Sequence, residues 1–203
     1  KLGVLLTQED ERGESFYADR LADLVASFEQ AKEMPAPPGL FPKGAVLRIE
    51  PSDGALCIFF TTDGGEPLFK NAEGNPLPLI IRKSDGAFLY ATTDLAALRF
   101  RVFELNADRA IYVTDARQVQ HFEMVFTAVR AAGWTLHNRD AGNVDAAGKP
   151  TQIELDHVPF GSILGEDRKP LKTRSGENIK LAELLDEAVA RAESLVRATE
   201  ADP

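Results

Sequence analysis

Apolar positions change their rhythm along the chain. Leu2 to Leu6 is a compact apolar run, too short for a helix and suited to a buried strand. After the Gly13–Ser15 step, Tyr17, Leu21, Leu24, Val25 and Phe28 recur at helical spacing among polar residues. That spacing predicts an amphipathic helix of about four turns. The helix is expected to end before Met34-Pro35-Ala36-Pro37-Pro38-Gly39, because proline lacks the helical N–H and pushes its predecessor out of the α region. From Leu40 to Leu77 the pattern shortens. Ala45–Glu50 and Ala55–Phe60 flank a hairpin turn at Pro51-Ser52-Asp53-Gly54, and Asp63-Gly64-Gly65 and Glu73-Gly74-Asn75-Pro76 mark further turns. A small antiparallel β insertion is predicted there, most simply a surface decoration.

Strand and helix patterns then alternate. Pro78–Lys83 and Phe88–Tyr90 are strand-like, divided by a turn at Ser84-Asp85-Gly86. Thr92 or Thr93 is placed to cap a helix carrying Leu95, Leu98, Val102 and Phe103. Ala110–Val113 is a short buried strand. Asp115 is placed to cap the next helix, whose stripe is Val119, Phe122, Phe126 and Val129 and whose stop is Gly133. Gln152–Val158 and Ser162–Leu164 are further strands, and a last helix carries Leu181, Leu184, Leu185, Ala188, Ala192, Leu195 and Val196. Strands separated by helices predict an α/β fold around a parallel, Rossmann-like sheet. The chain divides in this reading into residues 1–33, a β-rich insertion at 34–77, and residues 78–203.

Composition narrows the function. The 203 residues are 44% hydrophobic and 27% charged, as in an ordinary globular protein. No apolar run is long enough to cross a bilayer, so no membrane partner is expected. No signal-like opening is visible, and the single cysteine, Cys57, fits a reducing cytoplasm. A balance of 23 basic against 32 acidic residues gives a net charge of -9, whereas a dedicated nucleic-acid-binding domain is usually basic. Any RNA contact would use a local patch or other parts of a larger protein. The opening Lys1-Leu2-Gly3-Val4, without an initiator Met, suggests a piece of something longer.

In a parallel α/β sheet, ligands bind beyond the carboxyl ends of the strands. Three segments fall at such junctions: Tyr90–Asp94, Thr114–His121 and His157–Gly161. Tyr90 and Asp94 are placed to face one crevice, although a carboxylate near a helix start also simply complements the helix dipole. The same structural explanation is preferred for Asp115. His121 and His157 lie near the expected crevice and His137 in a loop, each more readily structural than catalytic on spacing alone. No metal-ligand spacing, P-loop, Gly-x-Gly-x-x-Gly or Gly-x-Ser-x-Gly motif appears. The loop from Arg168 to Lys180 sets Arg168, Lys169, Lys172, Arg174 and Lys180 against Glu177 alone. It could fold over a polyphosphate or stand as a solvated basic loop.

Taken in order, these segments resemble the catalytic domain of arginyl-tRNA synthetase, a class I aminoacyl-tRNA ligase. The likeness is carried by Phe88-Leu89-Tyr90-Ala91-Thr92-Thr93-Asp94-Leu95, Ala107–Val113, Asp115-Ala116-Arg117-Gln118-Val119-Gln120-His121-Phe122, His157–Asp167, Lys172-Thr173-Arg174-Ser175-Gly176 and Lys180–Ala188, and more loosely by Leu2–Tyr17. The resemblance implies ATP-dependent activation of arginine and its transfer to tRNA(Arg), with ATP as substrate, Mg2+ accompanying the nucleotide, and no tightly bound cofactor or protein-held metal. Tyr90, Asp94 and Gln118 would line the arginine pocket. A guanidinium is planar, permanently charged and rich in donors, so a carboxylate grips it through charge-assisted bonds. His157, Phe160 and Gly161 would lie by the adenine. Residues 168–176 would be the signature loop, with Lys172 and Arg174 stabilising the phosphates.

The sequence departs from the class I pattern in two respects. None of its histidines stands in a His-x-Gly-His motif, and Ser175 occupies the place of the loop's second lysine. The chain is therefore expected to be the carboxyl-side part of the catalytic domain, inactive in isolation. The alternative is a truncated, non-catalytic homologue that binds arginine or associates with the tRNA machinery.

Overall fold

A computed structural model of the chain describes residues 3, 5–35, 46–62, 64–136, 152–161 and 181–200. Its contacts divide into two compact units, Lys1–Phe160 and Gly161–Pro203. In the first unit the helix expected from Tyr17 opens as a 3-10 segment, Glu14–Arg20, and continues as α1, Leu21–Ala31. Tyr17, Leu21, Leu24, Val25 and Phe28 are all buried, as their spacing requires. Lys32 closes α1 with a positive φ of 54°, and the chain passes directly into strand.

Four strands form one antiparallel sheet in the order β1-β2-β3-β4: Glu33–Pro35, Val46–Ser52, Ala55–Thr61 and Leu79–Arg82. The β2–β3 hairpin turns at Asp53-Gly54, both with positive φ (50° and 79°), the backbone twist that two-residue hairpins favour. Gly54 is also constrained by space, because a Cβ there would lie 3.1 Å from Ser84 Cβ. β4 departs from expectation. It does not join a parallel sheet but pairs antiparallel with β3, Ile58 opposite Leu79. Its alternation, with Leu79 and Ile81 buried and Ile80 exposed, suits a sheet covered on one face.

Nor is this sheet a decoration. Leu47, Ile49, Leu56, Ile58, Phe60, Leu79 and Ile81 belong to the same continuous core as α1 and the later helices. By contrast the described residues of the expected Leu2–Leu6 strand, Gly3, Leu5 and Leu6, are not in a strand, and Leu5 is 93% exposed.

Phe88–Tyr90 is likewise not a strand. Leu89, with φ -116° and ψ 170°, is the extended residue before α2, Tyr90–Phe103. Extended geometry is normal at that position, which explains the strand-like reading. α2 thus starts earlier than a Thr92 or Thr93 cap would allow. Thr92 instead lies fully buried inside the first turn, where its hydroxyl donates to the Ile81 carbonyl (2.7 Å) and accepts from the Leu89 N–H (3.4 Å). α2 packs against α1, α3 and β4.

β5 (Arg109–Asp115) and β6 (Glu154–Phe160) form a parallel pair from Arg109–Glu154 through Asp115–Phe160, the only parallel pairing among the described residues. Between them Asp115 accepts from the Arg117 N–H at 2.8 Å, capping a 3-10 turn, Ala116–Gln118, that leads into α3, Val119–Ala131. Gly133, at φ 72°, ends it. The second unit contributes α4, Leu181–Glu200, with (i, i+4) ion pairs Glu187–Arg191 and Glu193–Arg197. His137, the Ser162–Leu164 strand and the loop at 168–176 lie outside the described residues.

Thr92→Val keeps the side-chain shape but leaves the buried Ile81 carbonyl and Leu89 N–H without that hydroxyl. The expected loss is about 1–3 kcal/mol of unfolding free energy, read from urea denaturation. A change below about 0.5 kcal/mol, the scale of an ordinary surface substitution, would contradict it.

Candidate active site

Where the helix starts is what gathers the site. With Tyr90 as its first residue, α2 sets Tyr90, Thr93 and Asp94 on one face at (i, i+3, i+4) spacing. The alternation of β5 sends Tyr112 and Thr114 to the same side, and the capped 3-10 turn delivers Gln118 and then His121 and Phe122. Together with Glu14 from the first 3-10 segment, these residues line an open cavity of about 240 Å³. Two carboxylates, two phenols, two hydroxyls and an amide face it, and among the described residues no lysine or arginine does.

The dipole explanation of Asp94 does not survive. No acidic residue lies in the first turn of α2, and a helix-end effect fades within that turn. Its partner is His121. Asp94 Oδ2 lies 2.7 Å from His121 Nε2, and since a carboxylate only accepts, the ring nitrogen donates. The His121 ring is flanked by Tyr90 at 4.8 Å and Phe122 at 5.0 Å between centroids.

Tyr112 forms the floor. Arg101 donates to its hydroxyl at 2.8 Å, and Phe122 and Phe126 lie 4.6 and 5.6 Å from its ring. Burial pushes its phenol well above the usual tyrosine range; the Arg101 cation opposes that shift and the Asp94 charge adds to it.

Tyr90, Asp94 and Gln118 are therefore brought to one cavity. His157 is not among the residues lining it. It sits opposite Tyr112 in the β5–β6 register, its Nε2 2.8 Å from Thr114 Oγ1 and its ring 4.9 Å from Phe122. Phe160 ends β6 with its ring half exposed, and Gly161 follows. Lys172 and Arg174 lie outside the described residues. Asp115 holds Arg117 through its backbone and side chain, in keeping with its capping role. Sequence reasoning gave no role to Glu14, visible only as part of a Gly-Glu-Ser step, or to Tyr112, which the alternation of β5 carries to the cavity together with Thr114. Among the described residues no group of three or more His, Cys, Asp or Glu is arranged to hold a metal ion, and no helix is long and apolar enough to cross a membrane.

β5 and β6 form a parallel pair, and the polar cavity lies at the carboxyl end of β5, where open α/β sheets bind their ligands. The family model described as "tRNA synthetases class I (R), catalytic domain" matches residues 1–203, and the chain belongs to that family. Its relatives include the arginine–tRNA ligase of Psychromonas ingrahamii, 45% identical over 197 residues that make up 97% of this chain and 28% of the relative. The arginine–tRNA ligase of a Nostoc species is 46% identical over 191 residues, 94% of this chain and 26% of that protein. Among solved structures, the arginyl-tRNA synthetase of Plasmodium falciparum superposes with a TM-score of 0.53 at 26% identity, covering 93% of this chain and 24% of that one. The chain thus spans roughly a quarter of the length of the proteins it matches.

Because the folded state holds the Tyr112 proton more tightly than the unfolded chain, the unfolded state binds fewer protons once pH passes the ordinary tyrosine value of about 10. Stability should be insensitive to this group below about pH 9 and then fall by up to about 1.4 kcal/mol per pH unit above pH 10. Urea unfolding of wild type and Tyr112→Phe at pH 8, 10 and 11 measures this. Parallel alkaline limbs in the two proteins would show that Tyr112 does not carry the loss.

Proposed function

We propose that the chain is part of an arginine–tRNA ligase and that this cavity receives the arginine side chain. The observation that carries the reading is the composition of the wall: Asp94 and Glu14 with Tyr90 and Gln118, and among the described residues no competing lysine or arginine. A guanidinium cannot shed its proton, so a site that encloses it must supply fixed anions and several acceptors. Asp94 supplies the charge, Glu14 a second carboxylate at the rim, and Tyr90 and Gln118 oriented polar contacts.

The reaction follows the family. The arginine carboxylate attacks the α-phosphorus of ATP and pyrophosphate leaves; a ribose hydroxyl of tRNA(Arg) then attacks the adenylate's carbonyl carbon, and AMP leaves. This chain's part is to hold the amino acid so that its carboxylate reaches the phosphate in a fixed geometry, a contribution of orientation. The carboxyl end of β6, with His157, Phe160 and Gly161, is assigned to the adenine, since ligands of parallel sheets bind beyond that edge. Lys172 and Arg174 are assigned to neutralise charge on the phosphates as the leaving group departs. Mg2+ would enter with the nucleotide. Such an enzyme works in the cytoplasm, where its tRNA is.

Asp94→Asn in the full-length ligase that carries this chain tests the assignment. Removing one charge of an enclosed pair costs about 2–5 kcal/mol. The arginine kcat/KM should therefore fall roughly 30-fold to several-thousand-fold, with the ATP KM nearly unchanged. Steady-state aminoacylation with arginine and ATP varied in turn gives both numbers, and an arginine kcat/KM near wild type would place the pocket elsewhere.

A further inference from the structure

We propose that His121 is the positioning residue of the amino-acid pocket: by donating from Nε2 to Asp94 it fixes the plane of that carboxylate and sets the distance between the two halves of the site. The inference rests on the arginine reading of the cavity and adds a residue to which neither motif nor spacing gave a role.

Three features of the geometry support it. His121 stands in the first turn of α3 and Asp94 on α2, and their 2.7 Å hydrogen bond joins the two helices at the cavity wall. Tyr90 and Asp94 come from one side of that bond and Gln118 from the other, so it sets their separation. The ring is also held in place, by Tyr90 at 4.8 Å and Phe122 at 5.0 Å, and its side chain is only 13% exposed. Finally, the bond takes up one lone pair of Oδ2. Oδ1 and the remaining lone pair of Oδ2 stay available on a carboxylate 27% exposed to the cavity.

A planar guanidinium gains most from an acceptor whose plane is already set, because two parallel N–H···O bonds require both oxygens in register. A free Asp94 could rotate about its terminal torsion, which is broad and without sharp wells. Donation from His121 removes that freedom before substrate arrives. His121 does not contact substrate in this scheme; it acts through Asp94.

The test compares His121→Gln, His121→Asn and His121→Leu with Asp94→Asn in the full-length ligase. Gln extends an amide N–H to about the reach of Nε2, Asn falls short of it, and Leu removes the donor. Losing a hydrogen bond to a charged group predicts an arginine KM raised about 10-fold to 100-fold in the Asn and Leu proteins. Gln should restore it to within about threefold of wild type, and ATP KM should move less than about twofold in all of them. The contrast between Gln and Asn stands even if the Leu protein does not fold. Equal arginine KM values for Gln and Asn, or an unchanged KM in both, would overturn the positioning role. If Asp94→Asn raises the arginine KM while the His121 variants do not, this inference alone fails. An unaffected Asp94→Asn protein would instead overturn the arginine pocket and the inference with it.

Discussion

α2 is enclosed on almost every side, and each polar group it carries inward must find its partner within the fold. Ala91, Thr92, Leu95, Ala96, Ala97, Leu98, Phe100 and Val102 are all buried. A buried hydroxyl or carboxylate without a partner would cost several kcal/mol, so the helix is held by its polar contacts as well as by apolar burial. Thr92 is satisfied by Ile81 and Leu89, and Asp94 by His121. One uncovered edge lies in the first two turns, where Tyr90 and Asp94 reach the cavity.

This constraint gives the antiparallel sheet its place in the function. The carbonyl that accepts from Thr92 belongs to Ile81 of β4, and β4 is held by β3 through the register of Ile58 with Leu79. The sheet therefore sets the depth and rotation of the helix that carries Asp94. On the other side of the cavity an aromatic series performs the equivalent task. Phe122 contacts the rings of Tyr112, His121 and His157, so α3, β5 and β6 share one packed layer. Offset and edge contacts of this kind have preferred geometries, so the rings hold α3, β5 and β6 against one another beside the cavity.

Charge is partitioned in the same way. The ion pairs on the surface, such as Arg82–Glu29 and Arg20–Glu104, are substantially solvent-exposed and contribute little to stability. Arg20 does more through its stacking on Phe16 and Phe100, at 5.2 and 5.0 Å. Among the described residues the cavity is lined by carboxylates with no lysine or arginine. The chain as a whole is acidic, with a net charge of -9.

Local periodicity by itself determined much of the fold. Tyr17, Leu21, Leu24, Val25 and Phe28 are buried together, as are Phe122, Phe126 and Val129, because a helix turns its own sequence spacing into a face. Asp115 caps and Gly133 stops for equally local reasons. The segments resembling the arginyl-tRNA synthetase family were legible as well, and with them Tyr90, Asp94 and Gln118. Periodicity reports which face is covered, not by what. Leu5 and Leu6 had the composition of a buried strand yet are exposed, Leu79–Arg82 paired antiparallel, and Leu89 imitated a strand because the residue before a helix is extended. The Asp94–His121 bond spans 27 residues of sequence. It exists only because α2 and α3 pack side by side, and no local rule could have named either residue as the other's partner.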